Sequence, residues 1–183
     1  MMKIRYGTGL LLGGMLALSN VVMADGDSYS RRGKSADVAP VNNTRYAKEC
    51  GSCHFAYQPG LLPARSWRKL MGNLADHFGD NAELPQEDAA AIADYLVKNA
   101  ADRSNHRRSV KISDSLSPGQ TPIRISQVPY IVSKHDEIPA RLITGNPKVK
   151  SLTQCQACHS RAEAGLFSEH EINIPGHGPW EDD

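Results

Sequence analysis

Cys-x-x-Cys-His occurs twice in this chain, as Cys50-Gly51-Ser52-Cys53-His54 and as Cys155-Gln156-Ala157-Cys158-His159. Two residues between the thiols set the sulfurs at the separation of the two vinyl groups of a porphyrin, and the next residue then lies under its iron. The motif therefore describes covalent haem attachment. Cys50, Cys53, Cys155 and Cys158 are the attachment points, and His54 and His159 are the proximal iron ligands. The chain has 4 cysteines, all inside these motifs, so none is left for a disulfide or a nucleophile. A zinc shared by the two pairs would need them far closer than the roughly one hundred residues that part them. A thioredoxin-like dithiol wants a strand–helix context that these flanks do not offer.

Residues 1–24 read as a cleaved secretory signal peptide. Lys3 and Arg5 make a basic start, an apolar stretch runs from Leu10 to Met23, and Val22-Met23-Ala24 suits cleavage before Asp25. Glycines and polar residues dilute the apolar run, which argues against a retained membrane anchor. No other stretch reaches the length of a membrane span. Covalent haem is attached outside the cytoplasm in bacteria, so a periplasmic address agrees with the motifs. The formal net charge of the whole chain is +1. Losing Lys3 and Arg5 makes the mature chain slightly acidic, the opposite of a nucleic-acid-binding surface.

Residues 25–43 are polar and lack an apolar period, as in a flexible leader. A first haem-binding half spans 44–102. Thr44 is a plausible N-cap for a short helix carrying Cys50 and Cys53, and Gln58-Pro59-Gly60 and Pro63 mark a loop. Trp67, Leu70, Met71, Leu74 and Phe78 then predict a helix over 64–78, closed by Gly79-Asp80-Asn81. A further helix over 85–101 buries Ile92, Tyr95 and Leu96, with Glu87 and Asp88 favouring its N-terminus. Residues 103–121 read as a linker and 122–183 as a second half. There, Ile123 to Val132 suggests extended segments, although Pro129 argues against a central strand. A helix over 151–168 is expected around the second motif. Each half is short for a core of its own, and a buried porphyrin supplies the apolar mass it lacks.

What faces each iron opposite the proximal histidine decides the chemistry: a second His closes the site, Met raises the potential, and an open face allows ligand binding. Five of the 7 histidines remain. His77, on the edge of an apolar helical stripe, is the candidate for the first haem, with Met71 as rival. His135, after the apolar run Tyr130–Val132, is the candidate for the second, with His170 as rival. His106 and His177 read as solvated. A proline carbonyl, of Pro59 or Pro63, is a candidate acceptor for the proximal imidazole N–H.

Longer strings extend these motifs. The first half contains Tyr46-Ala47-Lys48-Glu49 before the first motif, Pro59-Gly60-Leu61-Leu62-Pro63-Ala64-Arg65-Ser66-Trp67, Asp76-His77-Phe78-Gly79-Asp80-Asn81-Ala82 and Ile92-Ala93-Asp94-Tyr95-Leu96. The second contains Lys134-His135-Asp136-Glu137-Ile138-Pro139, the second motif and Ile172-Asn173-Ile174-Pro175. In these strings, residues 46–175 resemble the periplasmic dihaem cytochrome c (DHC) family. The resemblance implies electron transfer through two low-potential haems. It also implies redox partners such as a membrane cytochrome b, through which the protein contacts the membrane peripherally, and a small monohaem cytochrome that binds oxygen. His77 and His135 fall inside matching strings. The leader and the tail Gly176–Asp183 do not match.

The expected fold is mainly α, with two small cytochrome c-like haem-binding halves and long irregular connections. The expected function is outer-sphere electron transfer rather than enzyme catalysis, since no acid–base constellation stands out beyond the haem ligands. A dihaem peroxidase-like enzyme or a gas-binding haem sensor would instead need one open or labile iron. Glu163, Glu169 and Glu171 suggest an acidic docking patch, with Arg161 weakening it.

Overall fold

Asn43, not Thr44, starts the first helix: its side-chain oxygen accepts the Tyr46 N–H at 2.8 Å, satisfying one of the free amides of the first turn. The computed structural model describes residues 35–180 together with Met1 and Lys3; the rest of the stretch read as a signal peptide, most of the leader and the last three residues lie outside them. Helix α1 spans Thr44–Gly51 and delivers Cys50 on its last turn. It is anchored by Tyr46, which is buried, tilts against the Tyr95 ring and donates its hydroxyl to the Tyr57 carbonyl at 2.7 Å.

Helix α2 runs over Ala64–Met71 and stops at Gly72, shorter than the apolar stripe predicts. A glycine followed by an asparagine outside helical geometry breaks the run, and a 3₁₀ turn at Leu74–Asp76 resumes it. Helix α3, Gln86–Lys98, follows Pro85 and buries Ile92 and Leu96 as its periodicity requires. Helix α4, Arg107–Asp114, lies within the stretch read as a linker and buries Ser109 and Ile112. In place of extended segments there is a 3₁₀ turn at Ile125–Gln127 and then α5, Pro129–Ser133. Pro129 sits in the first turn of α5, where its missing N–H costs nothing. The helix expected over 151–168 contracts to α6, Cys155–Cys158, and a 3₁₀ turn at Ala162–Ala164. A minimal antiparallel pair, β1 (Asn173–Ile174) with β2 (Gly178–Pro179), follows.

One apolar core runs through segments far apart in sequence. Leu61, Leu62, Trp67, Ile92 and Leu96 pack with Ile112 of α4 and Val128 before α5. Val38 joins them and is fully buried, so the leader ends as a packed strap rather than a flexible arm. Several bonds hold this strap. Asp37 and Val38 N–H groups share the Gly165 carbonyl at 2.9 and 3.1 Å, and Arg108 N–H donates to the Asp37 carbonyl at 3.0 Å. His106 Nδ1 lies 2.8 Å from the Ala36 carbonyl, which makes His106 a strap anchor rather than a solvated residue. Two glycines permit this approach. A Cβ on Gly60 would strike the Ser109 hydroxyl and Val38, and one on Gly165 would strike the Val38 carbonyl. Gly165 also has φ +69, a backbone region that favours glycine.

Candidate haem sites

His77 stands opposite His54. The two ring centres are 6.1 Å apart and the planes are nearly parallel, at 16°. This spacing is a test of ligation. A metal–imidazole bond of about 2.0 Å plus about 1.1 Å from nitrogen to ring centre, on each side, puts two rings on one metal about 6.2 Å apart. His54 lies just past α1, after Ser52 and Cys53, and its Nδ1 lies 2.8 Å from the Phe55 carbonyl. A carbonyl only accepts, so Nδ1 carries the proton and Nε2 keeps its lone pair for a metal. The Pro59 carbonyl is occupied by the Trp67 indole N–H at 2.7 Å, and that of Pro63 by the Ser66 and Trp67 backbone. Neither proline orients His54; Phe55 does.

A tight reversal fixes His77. His77 N–H donates to the Asp80 carbonyl at 2.7 Å and Asp80 N–H returns to His77 at 3.3 Å. Between them Phe78 and Gly79 both have positive φ, +61 and +100, the mirror-image two-residue turn. Left-handed backbone is unusual for a bulky residue. Here the Phe78 ring packs edge-on to His77 at 4.9 Å, and the Arg124 guanidinium covers it at 3.9 Å. Burial, with a smaller contribution from His54, holds the His77 pKa below the ordinary imidazole value, which favours the neutral ligating form. Met71 packs against the core instead.

The second pair is alike in spacing and different in angle. His135 and His159 have ring centres 6.2 Å apart with planes at 77°. His135 follows the C-cap of α5, and its Nδ1 lies 2.7 Å from the Ile131 carbonyl, again leaving Nε2 as the free donor. His159 follows α6 and bridges to Ile172. Burial lowers its pKa to about 4. Both rings, with Cys155 and Cys158, line one cleft with an empty volume of about 1140 Å³ including its open mouth. Ile112, Ile131, Leu142, Val149 and Phe167 make its walls apolar, as a porphyrin face requires. Burial pushes the Cys50 and Cys155 thiols up to about 11, far from the reactive thiolate.

These residues fit haem and not a bare ion. Among the described residues, no group of three or more His, Cys, Asp or Glu side chains is arranged to hold a metal. Each site offers two facing imidazoles, so the remaining donors must come from a macrocycle. The other histidines stay out of both sites. His170 is exposed, and His177, also exposed, contacts Trp180 at 5.8 Å. The expected acidic patch is partly neutralised, since Arg161 pairs with Glu171 at 3.2 Å.

Sequence reasoning passed over Phe55, Tyr57, Gln58, Asp37 and Arg108. Gln58 is fully buried and donates to the Ala162 carbonyl at 2.5 Å, tying the first loop to the second attachment segment. A polar residue inside a Pro-Gly loop carries no local sign of such burial. Arg107 and Arg108 lie in the stretch that reads as a linker, where nothing local signals that both turn toward Asp37.

A mainly helical frame that presents two CxxCH segments, each opposite a second histidine, defines a dihaem c-type cytochrome. The chain belongs to the dihaem cytochrome c family, whose profile matches residues 46–167, and it accordingly carries two covalently bound c-type haems with iron. The diheme cytochrome type c of Shewanella baltica OS155 is 43% identical and aligns with a TM-score of 0.63, covering 76% of this chain and 98% of that one. A diheme cytochrome c from Rhodobacter sphaeroides is 42% identical with a TM-score of 0.63, covering 71% of this chain and 100% of that one. No curated protein matches the chain at a significant level.

Proposed function

We propose that the protein is a periplasmic electron carrier whose two haems are each closed by two histidines, His54 with His77 and His135 with His159. The observation that carries this reading is the separation of the paired rings, 6.1 and 6.2 Å. Such spacing suits one metal between two imidazoles and leaves no face for an exogenous ligand, as a peroxidase-like enzyme or a gas sensor would need. When bound, each haem supplies a one-electron iron couple, and two nitrogen ligands keep that couple at low potential relative to a His/Met pair.

The chain's own residues then have defined tasks. Cys50, Cys53, Cys155 and Cys158 tether the macrocycles. The Phe55 and Ile131 carbonyls hold the protons of His54 and His135 on Nδ1, which fixes tautomer and ring plane. Rigid ligands favour fast transfer because little has to rearrange when the charge changes.

The N-terminal 24 residues support export to the periplasm, and no described helix is long and apolar enough to cross a membrane. The partners that fit are redox proteins, such as a membrane cytochrome b as donor and a small oxygen-binding monohaem cytochrome as acceptor. Optical spectra of the holoprotein in both oxidation states, with and without CO, test the reading. Two low-spin haems with no CO response support it. A high-spin component or a CO-sensitive Soret band overturns it and favours catalysis or gas binding at the open iron.

A further inference from the structure

The cleft of the second site holds a partly buried cation that ligation does not use. Arg108 lines it with a side chain only 16% exposed, whereas the other charged residues on its wall, Lys134 and Glu169, are exposed. Its guanidinium is fixed from several directions. Nη1 donates to the Tyr130 hydroxyl at 2.9 Å and Nη2 to the Phe167 carbonyl at 2.5 Å. Phe167 in turn lays its ring 5.4 Å from His159. The counter-charge comes from the strap: Asp37 Oδ2 is 3.5 Å from Arg108 Nε and accepts the Phe167 N–H at 3.0 Å. Asp37 Oδ1 meets the exposed Arg107 at 3.1 Å.

Reduction adds one electron at the iron. A fixed positive charge in an apolar wall stabilises the reduced form, and a fixed negative charge opposes it, with little solvent to screen either. We propose that Arg108 and Asp37 set the potential of the second haem by opposed effects: Arg108 raises it, and Asp37, supplied by the N-terminal strap, holds that rise in check. This rests on the reading that His135 and His159 hold the second haem. The pair acts on the couple without touching the iron, so both are positioning residues for charge rather than ligands. The strap thereby acquires a role in tuning as well as in packing.

The test is an optical redox titration of the holoprotein with both one-electron waves resolved. His135→Met identifies the second wave, because Met ligation raises the potential of the haem it serves. Arg108→Met is expected to raise the oxidised-to-reduced ratio of that wave about tenfold at fixed ambient potential, a fall of about 59 mV for one electron. Arg108→Lys keeps the charge and restores most of the shift. Asp37→Asn keeps an acceptor for the Phe167 N–H and moves the same wave upward.

A purely structural role would move both variants the same way. Shifts of the same sign, or no shift in low-spin variants that retain both haems, overturn the proposal while leaving the ligand assignment intact. A His135→Met protein in which no wave moves removes the ligand assignment instead. Should Arg108→Met fail to accumulate with both haems, the direction of the Asp37→Asn shift decides alone.

Discussion

Tyr57 donates its hydroxyl to the carbonyl of Thr153 at 2.8 Å, two residues before Cys155. The same ring lies 5.2 Å from that of His54. One side chain thus touches the proximal ligand of the first site and the backbone that leads into the second attachment motif. Tyr57→Phe removes the bond and keeps the ring. It should lower unfolding stability by about 1 kcal/mol, read as an earlier denaturation midpoint at unchanged slope. Tyr57→Ala also deletes the ring contacts and should cost about 3 kcal/mol. An unchanged midpoint in both variants would show that the two sites do not depend on this strut.

Removing one distal histidine should open one iron and spare the other. His77→Ala and His135→Ala are each expected to give one high-spin, CO-binding haem per molecule beside one unaltered low-spin haem. His77→Met should keep a six-coordinate iron and raise its potential, because a thioether replaces a nitrogen donor. The readouts are the CO difference spectrum and the redox titration. CO binding that stays absent in either alanine variant would mean that another residue closes that iron.

Ring orientation predicts a spectroscopic difference between the sites. Near-parallel imidazoles, as at His54 and His77, 16°, act on the same iron d orbital and split the pair it belongs to. Near-perpendicular ones, as at His135 and His159, 77°, act on both orbitals and leave them almost degenerate. The oxidised protein should therefore show two distinct low-spin EPR signals, one rhombic and one highly anisotropic. The anisotropic one should vanish in His135→Ala. Two indistinguishable rhombic signals would contradict the perpendicular pair.

Asp37 predicts how acid acts on the strap. Burial pushes its carboxyl upward, but the Phe167 N–H and the charges of Arg107 and Arg108 outweigh that, and the pKa lies below the ordinary value. A carboxyl depressed in the folded state adds stability above its unfolded pKa and loses it as pH falls through the folded one. Wild type should thus be more stable than Asp37→Asn at neutral pH, and the gap should close in acid. Denaturation midpoints measured across that range check this, and a gap that widens in acid would refute the ion-pair account.

The attachment motifs are legible in the sequence because haem attachment demands fixed residue types at fixed spacing, and His77 and His135, which the fold brings opposite His54 and His159, stand out because they adjoin apolar runs. Helix α3 is legible for a related reason: over thirteen residues its apolar period outweighs local accidents. The shorter elements are not. α2 ends at Gly72 and α5 begins at Pro129, where a few residues are placed by packing rather than by propensity. Asp37 and Arg108 belong to stretches that read as a flexible leader and a linker. Their burial depends on Gly60 and Gly165, which let the strap approach segments far along the chain. The acceptor for His54 lies beside it rather than at a proline, because the Phe55 carbonyl is already within reach.

The order of the ligands along the chain has a consequence for assembly. In the first site the attachment motif precedes the distal histidine, and in the second it follows. On the proposed pairing, each pair would close its own loop of about two dozen residues, a short closure with a small entropic penalty. Iron bound at either pair acts as an independent clasp, much as a crosslink restricts an unfolded chain. On the proposed pairing, each haem would draw both of its iron ligands from its own stretch of chain, so closing one site would not wait on ligands from the other.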